Sequence, residues 1–279
     1  MRHYLKSGMI LQLKEQLTEE EKSRATIEKY MHDVKSFFVF VGDEPVNKEK
    51  VIEYKQYLAQ TYAPASVNSM LVALNRFLKM MGWYECVVRL LKIQKNVFRD
   101  RKRELSKKEY FRLLKAAKKK RSLRLYYLMQ TICATGIRVS ELRFITAEAV
   151  RMGRARVNLK GKIRVVLLPA PLCRILKGYM SERGIQNGSI FLTRNGRPLD
   201  RSNIWHEMKA VSETARVGRE KVFPHNLRHL FACTYYRMEK DLSHLADLLG
   251  HSSINTTRIY TMVSGEEQSR RMEALGLVV

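Results

Sequence analysis

The chain has 279 residues, 45% of them hydrophobic, and 52 Lys and Arg against 27 Asp and Glu give it a formal charge of +25. That length allows about two domains, each able to bury a core, and the composition contains no apolar run near the ~20 residues that cross a bilayer and no cleavable signal pattern. Cys86, Cys133, Cys173 and Cys233 lie far apart without a C-x-x-C pair, which disfavours a thiolate zinc site or a disulfide framework and fits free thiols in a reducing cytoplasm.

In chain order, residues 9 to 17 form a short first helix. Ile27, Tyr30, Met31, Val34, Phe37, Phe38 and Val41 repeat at helical spacing and stop at Gly42. Val51 to Leu58 is a shorter helix. Val67, Met70, Leu71, Leu74, Phe77, Leu78 and Met81 repeat the rhythm up to Gly82. These elements define a helical domain over residues 1–94. The charged stretch 95–105, KNVFRDRKREL, lacks periodicity and is expected to be a linker. A second domain, 106–279, starts with the capping-box pattern Ser106 to Glu109. A helix inside 123–145 breaks at Gly136, and a new helix is expected near Arg138. RARVNLKGKIRVVLL, residues 154–168, alternates as a β-hairpin turning at Gly161. A helix over 171–182 and a short strand and turn around Ile190 to Gly196 come next. Beyond residue 200 helices are expected over 201–215, 225–239, 241–250 and 253–262. The fold class is mainly α with a small antiparallel β-sheet.

The charge is uneven. Residues 1–100 hold 16 basic and 12 acidic residues, whereas 101–279 hold 36 and 15. So large a positive excess on one domain points to a polyanion, nucleic acid in the first place. Between 101 and 124 there are twelve bases and two acids, and between 151 and 164 six bases and no acid. Arg101, Lys102, Arg103, Lys118, Lys119, Lys120 and Arg121, with Lys162 and Arg164 on the hairpin, are the candidate DNA-backbone contacts.

Four short segments hold residues that could do chemistry. In TGIRVSEL, 135–142, Arg138 follows a helix break where free N–H groups also favour an anion, and Glu141 stands one turn on, where an ordinary surface pair would put it. Lys160 sits at the hairpin turn. In HNLRH, 225–229, His225 and Arg228 share a helix face and could address one phosphate. His225 and His229 at i, i+4 lack a third ligand, so no metal is expected. In LGHSSINTTRIYT, 249–261, His251 follows a break at Gly250 and Tyr260 lies nine residues on.

In this order, Arg138, Lys160, His225-x-x-Arg228, Leu249-Gly250-His251 and Tyr260 resemble the tyrosine recombinases, the phage-integrase family, and the spacings of 23 and 9 residues from Arg228 to His251 to Tyr260 resemble Xer-type members. The resemblance covers the whole second domain, and residues 1–94 resemble the family's helical core-binding domain. It departs at the hairpin, where Leu159 precedes Lys160 in place of a frequent Gly.

The resemblance implies a two-domain DNA clamp that cleaves and rejoins strands without metal, ATP or other cofactor. Tyr260 would be the nucleophile forming a 3′-phosphotyrosine. Arg138 and Arg228 would hold the phosphate, Lys160 (or alternatively Lys162) would protonate the leaving 5′ oxygen, His225 would take the Tyr260 proton, and His251 would bond the phosphate. It further implies double-stranded DNA as partner, four protomers in the synaptic complex from a free monomer or dimer, alone or with a second recombinase, a C-terminal segment docked on a neighbour, no membrane, and a bacterial cytoplasm at the nucleoid. Integration or excision of a mobile element and Xer-like resolution are equally compatible. A silent DNA-binding regulator and a type IB topoisomerase are the alternatives.

Overall fold

In a computed structural model, residues 3–6, 8–93, 103–159, 162–262 and 265–277 are described. The chain divides into two units, Met1–Lys95 and Asn96–Val279.

The first unit contains α1 (Gly8–Glu19), α2 (Arg24–Val41), α3 (Lys48–Thr61) and α4 (Pro64–Met80). Two of these helices start earlier than their apolar rhythm because capping residues set the boundary. Ser23 accepts from the Thr26 amide and Asn47 from the Lys50 amide, each satisfying an otherwise orphan N–H. Phe37, Tyr54, Leu74 and Phe77 fill the core. Past Trp83, the segment leaving the unit is clipped to α4. Asn75 bonds both the amide and carbonyl of Val88, and Asn68 does the same to Leu91.

The second unit begins with α5 (Lys107–Lys119), whose capping box pairs Ser106 and Glu109 reciprocally. Of the stretch expected to be linker, Leu105 is buried in this unit's core and the Arg103 carbonyl accepts from Asn226. α6 (Leu123–Thr135) stops at Gly136, in left-handed geometry with φ of 63°. The next element is a 3-10 helix, Val139–Phe144, rather than an α-helix, and Arg138 is the extended residue before it. Then come α7 (Ala147–Met152), the antiparallel hairpin β1 (Arg154–Leu159) and β2 (Lys162–Leu167), and α8 (Ala170–Arg183). In the hairpin Val157 pairs with Arg164 and Ala155 with Val166, so Ala155, Val157 and Val166 point to the core. The strand expected near Ile190 is reduced to single bridges, Thr146 with Ser189 and Leu192 with Pro198.

α9 (Arg201–Ser212) ends three residues before its expected limit. After it stand α10 (Pro224–Glu239), α11 (Leu242–Leu249), α12 (Ile254–Thr257), a 3-10 turn Arg258–Tyr260, and α13 (Gly265–Glu273). α10 packs on α6 and α11. A satellite cluster of Ala232, Cys233, Leu245, Leu249 and Tyr260 joins α10 and α11 to the C-terminal turn. Among the described residues no helix is long and apolar enough to cross a membrane.

Gly136 is where α6 must turn sharply under α10. A Cβ there would fall 2.5 Å from the Phe231 ring and 2.9 Å from Leu249. Gly136→Ala therefore combines left-handed strain with overpacking and is expected to cost about 2–4 kcal/mol, read as a lower urea midpoint of unfolding at unchanged slope.

Candidate active site

Three arginines converge on the end of α11. Gly250 takes left-handed geometry (φ 62°) and stops the helix, leaving its last carbonyls without intrahelical partners. Three consecutive carbonyls each receive a different guanidinium: Leu248 from Arg164 at 2.6 Å, Leu249 from Arg228 at 2.8 Å and Gly250 from Arg138 at 2.9 Å. The negative end of the helix dipole favours cations at this place. Arg228 also donates to the carbonyl of Gly136, so the break that ends α6 and the break that ends α11 are tied by one side chain.

Glu141 completes the cluster. It accepts from the Arg138 amide at 2.9 Å, from the Arg138 side chain at 3.0 Å and from Arg164 at 2.5 Å, and it is only 3% exposed. Burial pushes its carboxyl pKa up, but the bonds from Arg164 and Arg138 outweigh that and hold it below the ordinary range. The pair with Arg138 is therefore not the surface contact that sequence spacing suggests. Arg164, expected on the DNA-facing side of the hairpin, is turned inward by these bonds and is spent on Glu141 and Leu248.

Tyr260 is 3% exposed and packs against His229, with ring centroids 5.1 Å apart, and His251, at 6.3 Å. Burial raises its phenol pKa, and the positive charge of Arg228 works against the rise. Arg228 is itself pushed down to about 10, first by burial and then by Arg138. His225 stands at the exposed start of α10, yet loss of water beneath its ring, followed by Arg228, His229 and Arg138, lowers its pKa. His251 is driven to about 4 by burial and the arginines. Both rings are therefore neutral near pH 7 and able to accept a proton. His229 behaves oppositely. Burial lowers its pKa, but hydrogen bonds with Cys233 and Glu104 prevail and raise it to about 9.

Arg138, His225 and Arg228 line a cleft of about 360 Å³ together with Arg201 and Trp205 of α9. Sequence reading missed Arg201 and Trp205, whose only signal is their place on one helical face. It also gave no role to Glu141, Arg164 or His229 in the centre. Lys160, like Arg101 and Lys102, lies outside the described residues, and Lys162 opens β2. Arg103, Lys119 and Arg121 are exposed. Lys118 lies over the Tyr126 ring at 4.7 Å, and Lys120 donates to the Ala210 carbonyl at 2.6 Å. Among the described residues the side chains gathered closely enough to hold a metal ion are His3, Glu85 and Cys86 of the first unit, and the histidines of the cleft form no such group.

Glu141→Gln removes the charge that two arginines share and is expected to cost about 2–4 kcal/mol at pH 7, discounted for the partly exposed Arg138. Because the folded carboxyl titrates below its unfolded value, that deficit is full above the ordinary carboxylate range. It disappears as pH falls through the lowered folded value, where wild type also becomes protonated. Urea unfolding of both proteins between pH 3 and 7 measures the difference.

Comparison with known proteins places this geometry. The model of the Phage integrase family matches residues 103–267. The chain is 28% identical to the tyrosine recombinase XerA of Pyrococcus furiosus, over 98% of this chain and 96% of that protein. It is 31% identical to the tyrosine recombinase XerD of Vibrio cholerae, over 77% and 76%. Among solved structures, XerH recombinase bound to its difH substrate before cleavage matches with a TM-score of 0.63 at 25% identity, covering 80% of this chain and 69% of that one. A lambda integrase dimer bound to a COC′ core site matches with a TM-score of 0.77 over 95% and 97%, and at 17% identity it speaks for the fold alone. With the family model spanning more than half of its length, the chain belongs to the phage integrase family, the tyrosine recombinases.

Proposed function

We propose that this protein is a site-specific DNA recombinase in which Tyr260 attacks a phosphodiester and forms a 3′-phosphotyrosine, freeing a 5′-hydroxyl. The observation that carries the reading is the meeting of a phenol with two guanidiniums. Tyr260 stacks on His251, which Arg228 holds, the positive charge of Arg228 acts on the phenol, and the same Arg228 shares a cleft with Arg138. Phosphoryl transfer needs positioning and charge neutralisation more than covalent help. Arg138 and Arg228 hold the non-bridging oxygens through bidentate forks. Arg138 already donates to one backbone carbonyl and Arg228 to two, so each plane is set before the phosphate arrives and little is lost in ordering it.

A buried phenol stays protonated at neutral pH and needs a base. His225, neutral in the cleft, takes the proton, and Lys160, or Lys162 in its place, supplies one to the leaving 5′ oxygen. His251 bonds the phosphate. The covalent link stores the phosphodiester energy, because a phenolate leaves more readily than an alkoxide, and a 5′-hydroxyl from a partner strand reverses the step. The chemistry uses no metal, cofactor or nucleotide.

Double-stranded DNA is the partner, in keeping with the charge of +25 and with relatives solved on DNA. The first unit serves as the core-binding half of a clamp, with Arg103, Lys119 and Arg121 among the backbone contacts. A related integrase is solved as a tetramer on a Holliday junction, and four protomers exchanging strands through such a junction are the assembly proposed here. Leu275 and Leu277 are 64% and 82% exposed, which suits a C-terminal segment that docks on a neighbouring protomer. The setting is the cytoplasm of a bacterium, at the nucleoid.

Incubation with a nicked suicide duplex tests the chemistry. Wild type gives a covalent protein–DNA adduct that persists in EDTA, and Tyr260→Phe gives none; an adduct with Tyr260→Phe removes Tyr260 as nucleophile. Arg138→Ala or Arg228→Ala is expected to slow cleavage by about 10²–10³, as loss of an oxyanion donor does, while salt-dependent binding largely survives. Deleting residues 265–279 is expected to reduce synapsis on paired sites more than it lowers the unfolding midpoint.

A further inference from the structure

His251 is held at both ends of its ring. Nε2 lies 2.9 Å from a terminal nitrogen of Arg228, and Nδ1 lies 2.8 Å from the hydroxyl oxygen of Thr257. A guanidinium nitrogen can only donate. Nε2 must therefore present its lone pair, and in the neutral ring the hydrogen sits on Nδ1 and is donated to Thr257. The other tautomer would set an N–H against an N–H. Thr257 is fully buried at the end of α12, three residues before Tyr260, so the turn that carries the nucleophile also carries this hydroxyl.

We propose that Thr257 is a positioning residue: Arg228 sets the Nδ1–H tautomer of His251, and the buried Thr257 hydroxyl accepts that hydrogen and fixes the ring, with Nε2 facing the arginine cluster as a bare acceptor that donates to a phosphate oxygen only after taking up a proton. This rests on the reading of the cleft as a phosphate site. When the phosphate arrives, Nε2 leaves Arg228 and binds one proton from solvent. The resulting imidazolium keeps Nδ1–H on Thr257 and places Nε2–H on the phosphate. No other bond forms or breaks.

The charged groups facing His251 are Arg228 from α10, Arg138 before the 3-10 helix and Arg164 from β2, with the titratable but neutral His225 of α10 and the neutral Tyr260 ring stacked at 6.3 Å. All the charges among them are positive, so proton uptake waits for an anion. A neutral hydroxyl beneath Nδ1 suits this arrangement better than a carboxylate, which would charge the ring in the free protein.

Two measurements test the proposal on the full chain. Two-bond ¹H–¹⁵N spectra of histidine-labelled protein, with His251 assigned by its loss in His251→Gln, report the tautomer without DNA. The Nδ1–H form is expected in wild type and Thr257→Ser. Thr257→Val is expected to leave Nδ1–H without an acceptor, shifting its signal and speeding its exchange with water. An Nε2–H ring in wild type, or an Nδ1–H signal and exchange rate unmoved in Thr257→Val, overturns the proposal. On a saturating suicide duplex, Thr257→Val is expected to form adduct about tenfold more slowly, the worth of one hydrogen bond, with an altered pH profile and unchanged DNA affinity, and Thr257→Ser to recover most of the rate. A wild-type rate and profile in Thr257→Val also overturns it. If wild type forms no adduct at all, the recombinase reading fails, whereas the histidine spectra still decide the role of Thr257.

Discussion

The catalytic unit depends on one junction, where the last two carbonyls of α11 and that of its cap Gly250 meet three guanidiniums. A helix that stops abruptly leaves a row of unpaired acceptors with a partial negative charge. Here Arg164, Arg228 and Arg138 answer Leu248, Leu249 and Gly250 in sequence. These arginines arrive from β2, from α10 and from the segment after α6, so one helix end fixes the relative placement of three elements. A cluster of like charges would otherwise repel. The carbonyls, together with the buried carboxylate of Glu141, make it tolerable without cancelling its attraction for a phosphate.

The same junction organises the chemistry. Arg228 touches the carbonyls of Gly136 and Leu249 and the ring of His251, which stacks on Tyr260. It is buried, and its guanidinium cannot rotate without breaking several bonds at once. Tyr260, the proposed nucleophile, is buried in the same cluster, neutral and out of water. The two histidines at the cleft are neutral as well, since burial and positive neighbours oppose their protonation. His229, on the far side of Tyr260, is the exception, because Glu104 and Cys233 hydrogen-bond it. On the proposed reading, an incoming phosphate adds negative charge to a cluster that is net positive, and with it the condition for moving protons.

The boundaries of helices were legible where a capping residue or a glycine marks them, as at Ser106, Gly136 and Gly250. The hairpin was legible from its alternation. Boundaries drifted where tertiary packing set them, as at the end of α9, and the segment after Gly136 became a 3-10 helix because Glu141 bonds back to the Arg138 amide. Arg164 shows the limit most clearly. On the sequence it is one more base in a run without acids, whereas in the fold it is turned inward by a carboxylate 23 residues away and a carbonyl 84 residues away.

The sequence by itself determined the family, the order of the reactive residue types and the excess of positive charge on the second unit, because motif spacing and composition are properties of the chain read in one dimension. Only the tertiary structure decided which arginines face the cleft and which brace it, that Glu141 is buried, that Arg201 and Trp205 line the cleft, and that His251 stands between Arg228 and Thr257. Those outcomes depend on hydrogen bonds between residues far apart in the chain, whose donors and acceptors meet only when α11 ends against α10 and the hairpin.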